Sequence, residues 1–294
     1  MKTVRLLIVT MRPAQWVKNL FVAAPVLFAK THTIQDPGII GRAALATLVF
    51  ILLSGSVYIM NDILDADRDR LHPVKKNRPI AVGALDVRSA VAGGLAVLAL
   101  ALGCGYLLGG AFNLVATTYL ALNIGYSWSL KNTPWLDVFI IASGFLLRII
   151  AGSFAIGLAT SEISYYLILC TFLLALFLAL GKRRHELSVL GPGKPRAVLE
   201  RYRTTHLDAA LFVVAVLTAV AYTLYTLSPR TRDYFGTDRL VYTVPFVVLG
   251  IYRFMALLKR DGDPRSPTDM MIRDMPFVVN ILLWASLVAW VIYF

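Results

Sequence analysis

Apolar stretches of about twenty residues recur along the whole of this 294-residue chain, and a helix needs about that many to cross the hydrocarbon of a bilayer. Backbone donors and acceptors in lipid must be satisfied within the spanning element, which favours α-helices. Nine candidate segments follow, at roughly 16–30, 39–61, 88–108, 111–129, 135–157, 162–181, 207–228, 239–258 and 274–294. Breakers lie between them: Gly109 and Gly110, "NTP" before Trp135, and "GPGKP" from Gly191. Soluble domains carry about a quarter charged residues, and 16% here agrees with a membrane chain. The expectation is an all-α membrane protein, a bundle of nine transmembrane helices forming a single domain over 1–294. Its first segment is short, and its start, "RPAQWVKN", places Arg12, Trp16 and Lys18 where a helix lies at the interface. The preceding "LLIVTM" runs into Arg12 and Pro13 without a small-residue cleavage site and is not read as a signal peptide. Cys104 and Cys170 sit in apolar segments without metal-ligand spacing and read as unpaired core residues.

Charge sets the orientation. If the N-terminus and every second loop share one side, that side holds 22 of the 29 lysines and arginines. The positive-inside rule makes it the cytoplasm and leaves Phe294 outside. The large polar loops at about 62–87 and 181–206, and the short one at about 129–135, then face the cytosol. The formal charge of +12 follows this topology, so nucleic-acid binding is discounted.

The loop after the second segment begins "NDILDADRDRLHPVKKNRPIAVG". If the helix continues past the membrane face, Asn61, Asp62, Asp65 and Asp69 fall on one stripe at spacings of three and four, and Asp67 points elsewhere. Carboxylates so placed repel one another unless a cation lies among them, and hard oxygen ligands suit Mg²⁺. A solvated loop whose Asp/Arg alternation neutralises itself is the other reading. Basic residues stand nearby: Lys76 and Arg78 in the same loop, Lys131 in the next, and Lys182 and Arg183 in "GKRRHEL". Cations beside a metal-binding acid cluster suit a ligand richer in negative charge than the metal can neutralise, such as a diphosphate. As topology anchors they need no such ligand, and Lys75, Lys194 and Arg196 are left to that role. Arg148 lies about 20 Å along its helix from Trp135, too deep to snorkel easily. Asp137, eleven residues earlier, shares its face. Either the two brace a cavity wall with other polar groups, or Arg148 reaches a substrate phosphate.

These residues resemble a known family. "NDILDADRD" fits the N-D-x-x-D-x-x-x-D signature of the UbiA superfamily of intramembrane prenyltransferases, and "RPIAVG" is the arginine-proline sequence that follows it there. With "MRPAQWVKN", "YSWSLKN", "LLRIIAGSFA" and "GKRRHEL", the set is similar to the superfamily's decaprenyl-phosphate phosphoribosyltransferase branch. The similarity runs from about Met11 to Glu186, and the last three helices add only matching hydropathy. Two departures stand out. The loop after the sixth segment lacks a second aspartate-rich motif, with Glu186 its only acid near the helix end, and Tyr126 lies five residues before Lys131.

The resemblance implies a UbiA-like bundle and Mg²⁺-dependent transfer of 5-phosphoribosyl from 5-phosphoribosyl-1-pyrophosphate to a polyprenyl (decaprenyl) phosphate. It makes Asp62, Asp65 and Asp69 the metal-binding catalytic residues. Asn61, Lys18, Lys76, Arg78, Tyr126, Lys131, Arg148, Lys182, Arg183 and Glu186 become substrate-binding candidates. The bilayer is the expected environment, with association into a homo-oligomer among the expectations. The rivals are a conventional UbiA prenyltransferase acting on an aromatic acceptor, and a transporter or channel. Against the last, the acidic set sits on one face and no charged chain reaches the other.

Overall fold

The computed structural model describes residues 2–28, 36, 38–71, 75–160, 162–190, 197–259 and 266–294. The described residues are mostly helical, joined by turns, and contain no strand. Seven helices are long and apolar enough to cross a membrane: Gly38–Leu64, Val87–Tyr106, Leu136–Ala155, Tyr165–Val189, Thr204–Leu227, Arg239–Leu258 and Met275–Tyr293. These correspond to seven of the nine apolar segments, so the chain is a multi-pass integral membrane protein. The segment at 111–129 also forms a helix, Gly110–Trp128. Asn113, Thr117, Thr118 and Asn123 lower its apolar content, and each bonds a carbonyl about one turn earlier in the chain.

The first segment is not one helix. After Lys2–Thr10 the chain runs through a 3₁₀ helix, Pro13–Val22, and a five-residue α-helix, Ala24–Phe28. Pro13 and Pro25 each remove a backbone donor, and Arg12 adopts left-handed backbone at φ 56°. Continuous α-helical hydrogen bonding cannot pass these positions. Residues 29 and 30 of that segment, and residues 72–74 and 191–196 of the two large loops, with Lys194 and Arg196, lie outside the described residues.

The chain divides into two compact units, Met1–Trp128 with Leu147–Glu162, and Ser129–Leu146 with Ile163–Phe294. In the first, Phe50, Leu53, Phe112 and Tyr119 pack with Val22, Ala151 and Ala155. Gly152 is what lets the 3₁₀ segment approach: a Cβ there would fall on the Val22 carbonyl. A smaller cluster of Met11, Ile59, Ile80, Leu85 and Ala90 lies beneath the polar loop. Helix Val87–Tyr106 turns Leu95 and Leu100 outward, an apolar face suited to lipid rather than water.

In the second unit, Phe177 and Leu180 pack with Leu207, Leu211, Phe254 and Leu258. Side-chain caps start two of its helices, with Ser266 accepting from the Asp269 N–H and Asp274 from the Phe277 N–H. Asp274 also receives both Nε and Nη2 of Arg253, at 2.9 and 2.7 Å. The thiols of Cys104 and Cys170 are free.

Gly152→Ala is expected to destabilise the protein by about 1–3 kcal/mol, because the clash is with backbone and cannot be relieved by a rotamer change. Gly103→Ala, where an added Cβ meets nothing within 4 Å, is the control. Thermal unfolding in detergent micelles should show a lowered transition for the first variant and none for the second.

Candidate active site

The spanning helix ends at Leu64 and a short helix, Ala66–Arg70, takes over. Hydrogen bonds carry the helical path through the junction: the Asp65 N–H donates to Asn61 O at 2.9 Å and the Asp69 N–H to Asp65 O at 2.8 Å. The stripe read from spacing is therefore kept. Asp62 and Asp69 are 2% and 3% exposed, and Asn61 and Asp65 are half-buried. Asp67 points outward and pairs with Arg70 at 2.7 Å.

Buried carboxylates in a medium of low polarity need compensating charge. Arg78 supplies it to both, with Nη1 3.0 Å from Asp62 Oδ1 and 2.5 Å from Asp69 Oδ2. Its reach depends on the loop, where "RPIAVG" folds into a compact turn. The Arg78 N–H bonds Lys75 O, the Val82 N–H bonds Arg78 O, and the Leu85 N–H bonds Pro79 O. Ile80 and Leu85 sink into the core below and fix that turn. Lys75 stands 3.9 Å from Asp69 Oδ1, and Arg12 donates from Nη2 to Asp62 Oδ1. Lys76 is exposed.

Among the described residues no group of three or more Asp, Glu, His or Cys side chains is gathered to hold a metal. Arg78 bridges two of the three carboxylates of the stripe. The donor set still fits Mg²⁺, which takes hard oxygens and commonly uses one or two protein carboxylates with phosphate or water completing its shell.

Arg148 is buried in a polar island of the first unit. Its Nε donates to Asn19 Oδ1 at 2.9 Å and its Nη2 to Tyr119 Oη at 2.7 Å. Asn19 in turn donates to Ser54 Oγ at 3.2 Å. Arg148 thus bonds Asn19 and Tyr119, while Asp137, expected to brace a wall together with it, bonds Arg183 and Tyr202 instead. Lys18 beside Asn19, and Tyr126 near the end of Gly110–Trp128, are half-buried in the same unit.

Asp137 belongs to the second unit, where its carboxylate is wholly buried. It accepts from Arg183 Nε at 2.6 Å and from the Tyr202 hydroxyl at 2.5 Å. The same hydroxyl accepts from the Trp135 N–H at 2.7 Å, and Trp135 holds left-handed backbone at φ 67°. Arg183 Nη1 also bonds Glu186 Oε2 at 2.6 Å. Burial, reinforced by the bond to Asp137, pushes the Tyr202 phenol far above its ordinary pKa, so the hydroxyl stays protonated and keeps donating. Arg183 and Glu186, expected at substrate, are thus joined to each other and to Asp137. Lys131 is half-buried in the turn Leu130–Asn132, and Lys182 is exposed at the side-chain level. His185 is buried with neither ring nitrogen hydrogen-bonded among the described residues.

Sequence reasoning passed over Arg12, Asn19, Tyr119 and Tyr202. Arg12 and Asn19 lie within the quoted "MRPAQWVKN", where only position at the interface was legible. Nothing local marks Tyr202, whose partner is 65 residues away.

Comparison with known proteins bears on this site. The model of the UbiA prenyltransferase family matches residues 19–284. The chain is 33% identical to the decaprenyl-phosphate phosphoribosyltransferase of Corynebacterium glutamicum, over 98% of this chain and 86% of that protein. It is 32% identical to the enzyme of the same name from Mycolicibacterium smegmatis, covering 98% and 92%. A solved structure of a UbiA homolog from Archaeoglobus fulgidus bound to DMAPP and Mg²⁺ shares the fold at a TM-score of 0.72, with 21% identity and 99% of each chain covered.

Removing Asp137 strips Arg183, at 1% exposure, of a buried carboxylate. Asp137→Ala should cost about 3–5 kcal/mol, while the double change Asp137→Ala with Arg183→Met should recover most of it. Denaturant unfolding of both variants in micelles checks the difference.

Proposed function

The chain belongs to the UbiA prenyltransferase family, and we propose that it is the transferase that moves 5-phosphoribosyl from 5-phosphoribosyl-1-pyrophosphate to a polyprenyl (decaprenyl) phosphate, releasing pyrophosphate. The observation that carries the reading is the buried pair Asp62 and Asp69 with Arg78 between them. That set offers hard oxygens for Mg²⁺ and a guanidinium for phosphate on one face. The near-full-length relatives named as phosphoribosyltransferases support the sugar donor.

Asp62, Asp65 and Asp69 would hold the metal, with Asn61 beside them. Bound there, Mg²⁺ supplies charge neutralisation to the leaving pyrophosphate. Arg78 binds the pyrophosphate oxygens, and Lys76 lies next to it in the same loop. Lys131 and Lys182 are assigned to the 5-phosphate and the lipid phosphate. Lys18, Tyr126 and Arg148 are placed as substrate-binding, and so are Arg183 and Glu186, which are bonded to each other. A phosphate oxygen of the lipid attacks the anomeric carbon as the bond from that carbon to pyrophosphate breaks. The nucleophile is already anionic near neutral pH, so no side chain must remove a proton.

The finer topology belongs to the same proposal. We read nine membrane segments in one UbiA-like domain over 1–294, with the N-terminus and polar loops cytoplasmic and the C-terminus outside, from the bias of 22 of 29 basic residues. Self-association in the bilayer is part of that reading.

The test is chemical. Membranes holding the protein, given labelled 5-phosphoribosyl-1-pyrophosphate and decaprenyl phosphate, should carry label into the lipid phase. Asp62→Asn and Asp65→Asn should each lower that transfer by about 100-fold or more in saturating Mg²⁺, a loss of ~2.7 kcal/mol or more in transition-state stabilisation. Near wild-type transfer by either variant sinks the metal assignment. Prenyl transfer to 4-hydroxybenzoate in place of lipid labelling would establish the conventional prenyltransferase instead.

A further inference from the structure

The sequence gives Arg12 no role beyond that of an interfacial anchor, yet its conformation is unusual. It holds φ 56° and ψ 71° between helix Lys2–Thr10 and the 3₁₀ helix Pro13–Val22. A non-glycine residue in left-handed backbone is strained and needs contacts that hold it there. Those contacts are with the acidic site. Its Nη2 bonds Asp62 Oδ1, and its guanidinium carbon lies 4.7 Å from the centroid of the Tyr58 ring. Arg78 Nη1 bonds the same oxygen. One carboxylate, 2% exposed, therefore carries two guanidiniums on a single atom, one of them shared with Asp69. Arg12 itself stays open, with 32% of its side chain exposed.

Charge balance shows what the second guanidinium does. Asp62 and Asp69 stand against Arg12, Lys75 and Arg78, and even with Asp65 of the same stripe counted, the formal charge of these six residues sums to zero. A bare divalent cation meets no net attraction there. To reach Asp62 it must part a carboxylate from its arginines and leave their positive charges beside its own. A divalent cation carrying a diphosphate brings acceptors for those guanidiniums, so each positive group displaced from a carboxylate finds a phosphate oxygen.

We propose that Arg12 is a diphosphate-binding residue of this site, held on Asp62 until a divalent ion takes that carboxylate and then turned with Arg78 onto the diphosphate oxygens. The proposal rests on the reading that the acidic face holds a metal diphosphate, and it adds a coupling between them. Cation and diphosphate bind together tightly and separately weakly, and by linkage each strengthens the other equally.

The experiment uses the full chain in micelles, with two probes and no lipid substrate. Free Mn²⁺ is counted by electron paramagnetic resonance, and radiolabelled inorganic pyrophosphate is retained on immobilised protein with Mn²⁺ or with EDTA. Wild type should hold pyrophosphate at least about tenfold more tightly with Mn²⁺, 1.4 kcal/mol of coupling. Arg12→Gln should weaken Mn²⁺-pyrophosphate by about tenfold or more, while Mn²⁺ alone binds as well as to wild type or better. That second readout separates the proposal from a structural role, which would weaken both. Arg12→Lys keeps the charge on Asp62 and replaces the fork with a point charge. It should fold, and bind Mn²⁺-pyrophosphate about threefold more weakly or worse with Mn²⁺ alone unchanged. If Arg12→Gln unfolds, the lysine variant decides. Pyrophosphate affinity unchanged in a folded variant, or loss of both ligands together, overturns the proposal. Failure of lipid labelling with this coupling intact would sink the substrate reading alone; intact labelling without an Arg12 effect would sink this one alone.

Discussion

Asp62 sits at the last turn of a membrane-spanning helix with almost no exposure, where an unpaired carboxylate would be strongly destabilising. Its neutralisation organises the polar end of the first unit. Arg78 must come back sixteen residues to reach it, which fixes the course of the "RPIAVG" turn and buries Ile80 and Leu85 as its footing. Arg12 must leave helical backbone to reach it, which ends the first helix and starts the 3₁₀ segment. The junction at Asp65 keeps helical hydrogen bonding, so Asp69 arrives on the same side as Asp62 and can share Arg78. Loop, helix start and helix break thus answer to one charge.

The other buried charges follow the same rule with different partners. Arg148 is held by an amide oxygen and a phenol hydroxyl, Asn19 and Tyr119, and Arg183 by the carboxylates of Asp137 and Glu186. Asp137 and Arg148 share one helix, eleven residues apart, yet serve separate units.

Much of the fold was legible because membrane helices announce themselves by length and apolarity, which need no knowledge of partners. Two of the nine segments depart from plain apolar helices where local chemistry intervenes. Pro13, Pro25 and the backbone of Arg12 divide the first segment, while two asparagines and two threonines make Gly110–Trp128 less apolar than its neighbours. At the site, spacing sorted Asn61, Asp62, Asp65 and Asp69 from Asp67, and the observed exposures sort them the same way. Spacing could not assign cations to carboxylates. Arg183 looks like a phosphate ligand beside Lys182 in "GKRRHEL", and its acid partner Asp137 stands 46 residues earlier. Tyr202 was invisible for the same reason, since its role exists only once the chain has folded back.

The order of these partners along the chain bears on how the protein is made. Asn19 and Tyr119 both precede Arg148, Asp137 precedes Arg183, and Arg12 precedes Asp62. During synthesis, Arg148 therefore leaves the ribosome after both groups that receive it, whereas Arg253 leaves before its partner Asp274. An arginine at the centre of a spanning helix opposes insertion by about 2.5–3.5 kcal/mol on its own. A chain that reversed this order, by circular permutation for instance, would have to commit such helices to lipid with nothing waiting for their charge.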